Sequence, residues 1–265
     1  MLTFRDFVTG LRKLEIDRSC PVIAHASLAA FGDVHGGAET LVGALLSSFN
    51  TVIMPTFTYK TMIIPELGPL DNAIVYGSGK DTNRMAEIYQ ADMPSDKMMG
   101  VVAESLRRHP KALRSTHPIL SFAGINADRI LDSQTINEPL LPIQILKEEA
   151  GWVLLMGVGQ TANTSIHYAE YLAGRKQFVR WALTPDGVVP CPGFPGCSDG
   201  FEAVSPPLED VTRKVVVGEG VVQAMPVVNL VDTVCALLKE NPIALLCERE
   251  DCERCNTVRA SVSGL

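Results

Sequence analysis

The residues best placed to do chemistry lie in one short stretch, T-S-I-H-Y-A-E, at positions 164–170, directly after the apolar run 152–160. On a helix beginning near Ser165, His167 and Glu170 share a face and come within reach of one another. An imidazole held by a carboxylate is either a structural ion pair or a general base with its orienting partner. The pair follows a buried strand through a short polar loop, and ligand sites in open parallel sheets gather beyond the carboxyl ends of strands. The chain has neither G-x-S-x-G nor H-E-x-x-H. A His–Glu dyad without an evident nucleophile then favours direct removal of a proton from a substrate amine, hydroxyl or water.

Three other groupings offer chemistry. In H-A-S-L-A-A-F-G-D-V-H-G-G-A (25–38), Gly36 and Gly37 come directly before a periodic apolar run. Backbone N–H groups at such a helix start suit a phosphate or pyrophosphate, the alternative being a tight turn that closes a strand–helix unit. The spacing matches neither a Walker loop nor a dinucleotide fingerprint. R-S-T-H-P-I-L-S places Arg114, Ser115, His117 and Ser121 around a proline turn, where a hydrogen-bonded turn histidine is the plainer reading. Cys247, Cys252 and Cys255 run as C-x4-C-x2-C, with Cys191 and Cys197 in a Pro/Gly loop. A structural zinc at these C-terminal cysteines would need a fourth ligand from elsewhere. Ordinary free thiols are the preferred reading, with no metal required.

Hydrophobic periodicity supplies the elements that must position these groups. Helices are expected over residues 3–14, 38–46, 99–109, 142–149, 166–174 and 229–239. Strands are expected over 22–25, 51–57 and 152–158, with a short one at the end of 114–124. Hairpins are expected at 175–189, turning at Pro185-Asp186-Gly187, and at 214–224. Residues 58–93 are Pro/Gly-punctuated and too long for a plain connection, so they read as a functional loop. C-P-G-F-P-G-C-S-D-G (191–200) reads as a loop. The strand–loop–helix–strand rhythm gives an α/β fold, with residues 1–265 forming a single domain. Its central mixed β-sheet is flanked by helices, with a Pro/Gly/Cys-rich excursion in the C-terminal half.

Composition removes several function classes. A chain of 265 residues with 46% apolar and 20% charged residues buries a sizeable core and is not disordered. A net charge of −7 disfavours nucleic acid as a partner, because phosphate binding needs a concentrated basic surface. No apolar run approaches the roughly 18 residues needed to span a bilayer, so no membrane partner is expected. The mixed-charge start MLTFRDFVTGLRKL is no secretory signal, and an odd set of seven cysteines fits a reducing compartment. A cytoplasmic location is the expectation.

Taken in order, the segments resemble the aminoglycoside 3-N-acetyltransferase family, antibiotic acetyltransferases unrelated to the GCN5 fold. The matching pieces are H-A-S-L-A-A-F-G-D-V-H-G-G-A-E-T, V-I-M-P-T-F-T, G-V-V-A-E-S-L-R-R-H-P, R-S-T-H-P-I-L-S-F-A-G, P-I-Q-I-L, W-V-L-L-M-G-V and S-I-H-Y-A-E. They run from about Phe4 to Val204, and more loosely to Leu238.

The resemblance implies an acetyl-CoA-dependent N-acetyltransferase acting on the 3-amino group of a 2-deoxystreptamine aminoglycoside. It implies that His167 deprotonates the amine and that Glu170 orients the imidazole. It also places acetyl-CoA against His25, Ser27, Leu28, Phe31, Gly32, Val34, Gly36, Gly37, Ala38, Ser115, His117 and Ser121. A polycationic acceptor calls for carboxylates and polar groups. Tyr59, Glu66, Asp71, Asp199 and Glu202 are the candidates, with Glu87 and Asp92 also in the long loop. That loop lacks an acidic, tryptophan-rich cluster and carries Lys60, so a relative acting on another amine or amino sugar is the first alternative. A zinc-dependent hydrolase using the same dyad and a non-catalytic CoA-binding protein are alternatives from other classes.

Overall fold

The computed structural model describes residues 1–263. In chain order its elements are α1 (Phe4–Arg12), β1 (Val22–Ala26), α2 (Gly37–Ser48), β2 (Val52–Pro55), β3 (Met62–Ile63), α3 (Lys80–Met85), α4 (Gly100–Arg107), β4 (Leu113–Arg114), β5 (Phe122–Ile125) and α5 (Asp128–Asp132). There follow α6 (Leu141–Glu148), β6 (Trp152–Met156), α7 (Ser165–Leu172), β7 (Phe178–Thr184), β8 (Gly187–Phe194), α8 (Ser205–Leu208), β9 (Arg213–Val217), β10 (Gly220–Pro226), α9 (Val227–Glu240) and α10 (Glu253–Ser263).

Nearly unbroken apolar runs suit strands buried on both faces, and β1, β2 and β6 form the centre of the main sheet. That sheet has seven strands in the order β4-β5-β2-β1-β6-β10-β9. β1 is parallel to both neighbours, with Val22 opposite Val52 on one side and Trp152 on the other. β5 and β10 join this core antiparallel, each the inner strand of a marginal hairpin. The sheet is therefore mixed, as expected. The chain leaves β1 for β2 through α2 and later returns to the opposite side of β1 as β6. That reversal puts a crevice at the carboxyl end of β1, where open α/β sheets bind ligands.

Period-two alternation divides the core between two faces. Ile23, Ile53, Val153 and Leu155 pack with Ile143, Ile166, Leu230 and Val234 from α6, α7 and α9. Val22, Ala24, Val52, Met54, Leu154 and Met156 pack with Phe7, Leu41, Leu45 and Leu106 from α1, α2 and α4.

Some local features depart from the sequence reading. β8 continues to Phe194, so the start of the Pro/Gly/Cys segment is strand, not loop. Pro190 and Pro192 are tolerated there because β8 is the edge of a separate three-stranded sheet, β3-β7-β8. α10 went unread because its sequence, E-R-C-N-T-V-R-A-S-V-S, shows no apolar stripe. Among the described residues no helix is long and apolar enough to cross a membrane.

Candidate active site

The dyad is built by the two ends of α7. At the start, Asn163 Oδ1 accepts the Ser165 N–H at 3.2 Å, while its Nδ2 donates to Gln160 Oε1 at 2.8 Å. At the end, Gly174 adopts φ +76°, the left-handed conformation that stops a helix. The Arg175 N–H then folds back to the Glu170 carbonyl at 2.9 Å. Every residue from Ser165 to Glu170 is buried, so the polar side chains on this helix must find partners inside the protein.

The dyad does, whereas Ser165 Oγ is buried without a hydrogen-bond partner. His167 Nδ1 lies 2.7 Å from Glu170 Oε2, and the other carboxylate oxygen accepts from Arg175 Nη1 at 2.6 Å. Arg175 Nη2 donates to the carbonyls of Pro242 and Ala244, each at 2.7 Å. Glu170 is 1% exposed, and a carboxylate so deeply buried is tolerable because it is both paired and hydrogen-bonded. The imidazole packs edge-on against Phe201 at 4.8 Å. Arg175 was not singled out in the sequence. Its available signal was an arginine directly after a helix-ending glycine, which the cap returns to the preceding turn.

His167 borders a cavity of about 700 Å³ at the carboxyl ends of the parallel strands. His25 comes from the end of β1, Met54 and Pro55 from β2, and Val158 from just beyond β6. Tyr59, Arg180, Phe194, Asp199 and Arg254 complete the polar and aromatic wall. Burial pushes the His25 imidazole down to about 3 and leaves its Nε2 without a hydrogen-bond partner, so it presents a neutral ring at ordinary pH. Burial likewise raises the Tyr59 phenol to about 12. Arg180 drops to about 10, also by burial, and stays charged, stacked on Phe178 and Phe194 at 5.4 and 5.0 Å. Arg254 Nη1 donates to the Gly196 carbonyl at 2.8 Å.

A second cleft of about 1080 Å³ runs along α2 and α4, bordered by Gly36, Ala38, Lys97 and Gly100 at their starts and by Arg108 at the end of α4. Met98 and Met99 border the first cavity, whereas Lys97 and Gly100 border this cleft. The two therefore meet at one 3₁₀ turn, Lys97–Met99.

Of the residues expected at a cofactor site, His25, Gly36 and Ala38 border these spaces. Gly36 and Gly37 have φ of +75° and +58°, which explains the paired glycines. The Gly37 N–H is engaged by the Val34 carbonyl at 3.1 Å. Ser27, Leu28, Phe31, Gly32 and Val34 line neither space: Phe31 is core against Phe7, and Val34 bridges to Leu2.

Ser115, His117 and Ser121 serve the turn itself. Ser115 Oγ accepts from the Phe122 N–H at 2.8 Å, and Ser121 Oγ donates to the Thr56 carbonyl at 3.0 Å. His117 Nδ1 accepts from the N–H groups of Ile119 and Leu120, and burial lowers the ring to about 4. Among the acceptor candidates, Tyr59 and Asp199 line the cavity. Glu66, Asp71, Glu87, Asp92 and Glu202 are exposed and line neither space. The hydrolase alternative finds no support, because the described cluster able to hold a metal consists of four cysteines and excludes His167.

The sequence model described as aminoglycoside 3-N-acetyltransferase matches residues 23–239, most of the chain. The chain belongs to the aminoglycoside 3-N-acetyltransferase family. Aminoglycoside N(3)-acetyltransferase III of Salmonella sp is 26% identical over 231 residues, covering 77% of this chain and 79% of the relative. Aminoglycoside N(3)-acetyltransferase VII of Streptomyces paromomycinus is 33% identical over 172 residues, covering 60% of this chain and 57% of the relative. The fold of this acetyltransferase matches the apoenzyme of aminoglycoside acetyltransferase AAC(3)-IVa with a TM-score of 0.80 at 24% identity, covering 98% and 97% of the two chains. It also matches AAC-IIIb in a binary complex with CoASH, with a TM-score of 0.72 at 19% identity, covering 90% and 97%.

Proposed function

We propose that this acetyltransferase moves the acetyl group of acetyl-CoA directly to an amine, with His167 as general base. The observation that carries the reading is the His167–Glu170–Arg175 chain on a cavity at the sheet's reversal point. Glu170 accepts a hydrogen bond from Nδ1–H of His167, which leaves the lone pair on Nε2 for the substrate. An ammonium cannot attack, so Nε2 takes its proton as the nitrogen bonds to the thioester carbonyl carbon. Charge gathers on the carbonyl oxygen, the C–S bond then breaks, and the CoA thiolate leaves and takes up a proton. Arg175 fixes the Glu170 carboxylate in place beside the ring, so the imidazolium formed in the step meets a carboxylate already positioned for it. His25 adds a neutral ring on the same wall.

The cleft between α2 and α4 suits the CoA moiety. Two helix starts border it, with Lys97 beside the start of α4 for phosphate and Arg108 at that helix's far end. AAC-IIIb, which shares the fold, is in a binary complex with CoASH, and this supports acetyl-CoA as the cosubstrate. The names of the relatives support the 3-amino group of an aminoglycoside as acceptor, as does a fold neighbour crystallised with a gentamicin, 23% identical.

A second acceptor reading, another amine or amino sugar, rests on the charge of the cavity wall. Arg180 and Arg254 line it, whereas Asp199 is its carboxylate among the described residues and is already paired to Arg249 at 3.0 Å. A polycation finds little countercharge there. An amine that also carries a carboxylate or phosphate would find two arginines.

Thiol release from acetyl-CoA, measured over a panel of 2-deoxystreptamine aminoglycosides, plain amino sugars and anionic amines, tests both readings. Turnover on the drugs that falls at least ~100-fold in His167→Ala supports the first. Turnover confined to anionic amines selects the second. Undiminished turnover in His167→Ala sinks the general-base mechanism.

A further inference from the structure

The Sγ atoms of Cys197, Cys247, Cys252 and Cys255 all lie within 4.8 Å of one another, and each of the four residues is buried. They come from two places: Cys197 from the segment after β8, the other three from the chain between α9 and the first turn of α10. Cys247 and Cys255 are 3.5 Å apart at sulfur, too far for a disulfide, and all four are free thiols. A tetrahedral ion with Zn–S bonds near 2.3 Å would set its four sulfurs about 3.8 Å apart. The observed spread has that scale. It leaves room for one ion and none for a multi-iron cluster.

The surroundings are those of a thiolate centre. The Asp199 N–H points to Cys197 Sγ at 3.5 Å, the kind of backbone bond that steadies a ligating sulfur. The Arg249 guanidinium lies beside Cys247 and Cys252 and reaches Asp199 at 3.0 Å. Arg259 donates to the Cys247 carbonyl. These cations offset the double negative charge that four thiolates leave around a divalent ion. The four cysteines form a hydrophobic cluster of their own, joined by Leu246, among the described residues. Leu245 anchors the start of the irregular chain 241–252 to the main core. Between it and α10 the buried residues are Cys247 and Cys252, and so small a cluster is too little to order that stretch by apolar burial alone.

We infer that these four cysteines bind one structural zinc ion, which pins α10 to the 195–199 segment of the active-site wall. As the ion binds, four thiols release their protons to solvent and four Zn–S bonds close the coordination shell. With no position left open, the ion takes no part in acetyl transfer. Its effect is mechanical: Cys252 and Cys255 bracket Arg254, whose guanidinium holds the Gly196 carbonyl beside the cavity.

The test uses the full chain, purified without chelator and assayed for metal and thiols in parallel. About one zinc per chain is expected, with release following titration of the buried thiols by a mercurial reagent. Cobalt substitution should give the intense thiolate-to-metal charge-transfer bands of a tetrahedral four-thiolate site. Cys252→Ser should lower bound zinc at least about tenfold. Because that variant risks misfolding, hydrogen exchange on wild type before and after chelation provides the second reading. Exchange should rise in 195–199 and α10 while β1 and β6 stay protected. No retained zinc with freely titrating thiols, a mass showing disulfides, or stoichiometric iron in place of zinc would each overturn the inference.

Discussion

Arg175 is the residue on which the dyad's geometry turns. Its buried guanidinium is shared between Glu170 Oε1 and the backbone carbonyls of Pro242 and Ala244. Replacing it with Met leaves a buried carboxylate without its cation, which costs about 3–5 kcal/mol. Chemical denaturation of Arg175→Met should show that loss. Glu170→Gln combined with Arg175→Met should cost less than the sum of the two single changes, because the pair is coupled. The dyad itself was legible because i,i+3 spacing on a helix is a local relationship. Arg175, Arg180 and Arg254 were not, since each reaches the site through a cap, a second sheet or a helix that the sequence pattern does not announce. The acidic candidates failed for the converse reason. Glu66 and Asp71 have the right charge but sit on the outer side of a long loop.

At the scale of elements, the end of α7 matters more than its middle. Gly174 has open space where a Cβ would go, so Gly174→Ala meets no clash and tests backbone strain alone. About 1 kcal/mol of stability should be lost to the positive φ. Catalytic turnover should fall further than that loss explains, because the cap delivers Arg175. Comparing the denaturation midpoint with kcat for this variant separates the two effects. A proportional loss in both would mean that the cap serves stability only. The three parallel strands and their crossover helices were readable because apolar periods of two and 3.6 are written into the chain. The β7–β8 hairpin was readable in the same way from its alternation and its Pro185-Asp186-Gly187 turn. β3 and the far end of β8 were not, because β3 pairs with a segment remote in sequence and an edge strand tolerates Pro190 and Pro192.

For the whole molecule, two buried histidines set the acid limit of stability. His25 and His117 are held neutral in the folded state, at about 3 and about 4 against an ordinary value of 6.5, in both cases by burial. Unfolding lets both take up a proton below pH 6.5. The unfolded chain then binds more protons, and stability falls as pH drops from 6.5 toward 4. The slope should approach ~1.4 kcal/mol per pH unit for each histidine. Urea midpoints between about pH 7 and pH 4.5 should show this slope, and His117→Asn should remove roughly half of it.

The carbonyls that hold Arg175 belong to Pro242 and Ala244, beyond α9 and beyond the span 23–239 that defines family membership. A protease that clips the chain just after α9 would spare every strand of the main sheet. The circular dichroism of the nicked protein would look almost native. Yet the fragment released would carry away the splint on which the His167–Glu170 pair leans, so on the proposed mechanism the point most vulnerable to inactivation lies after α9, not at the cavity mouth.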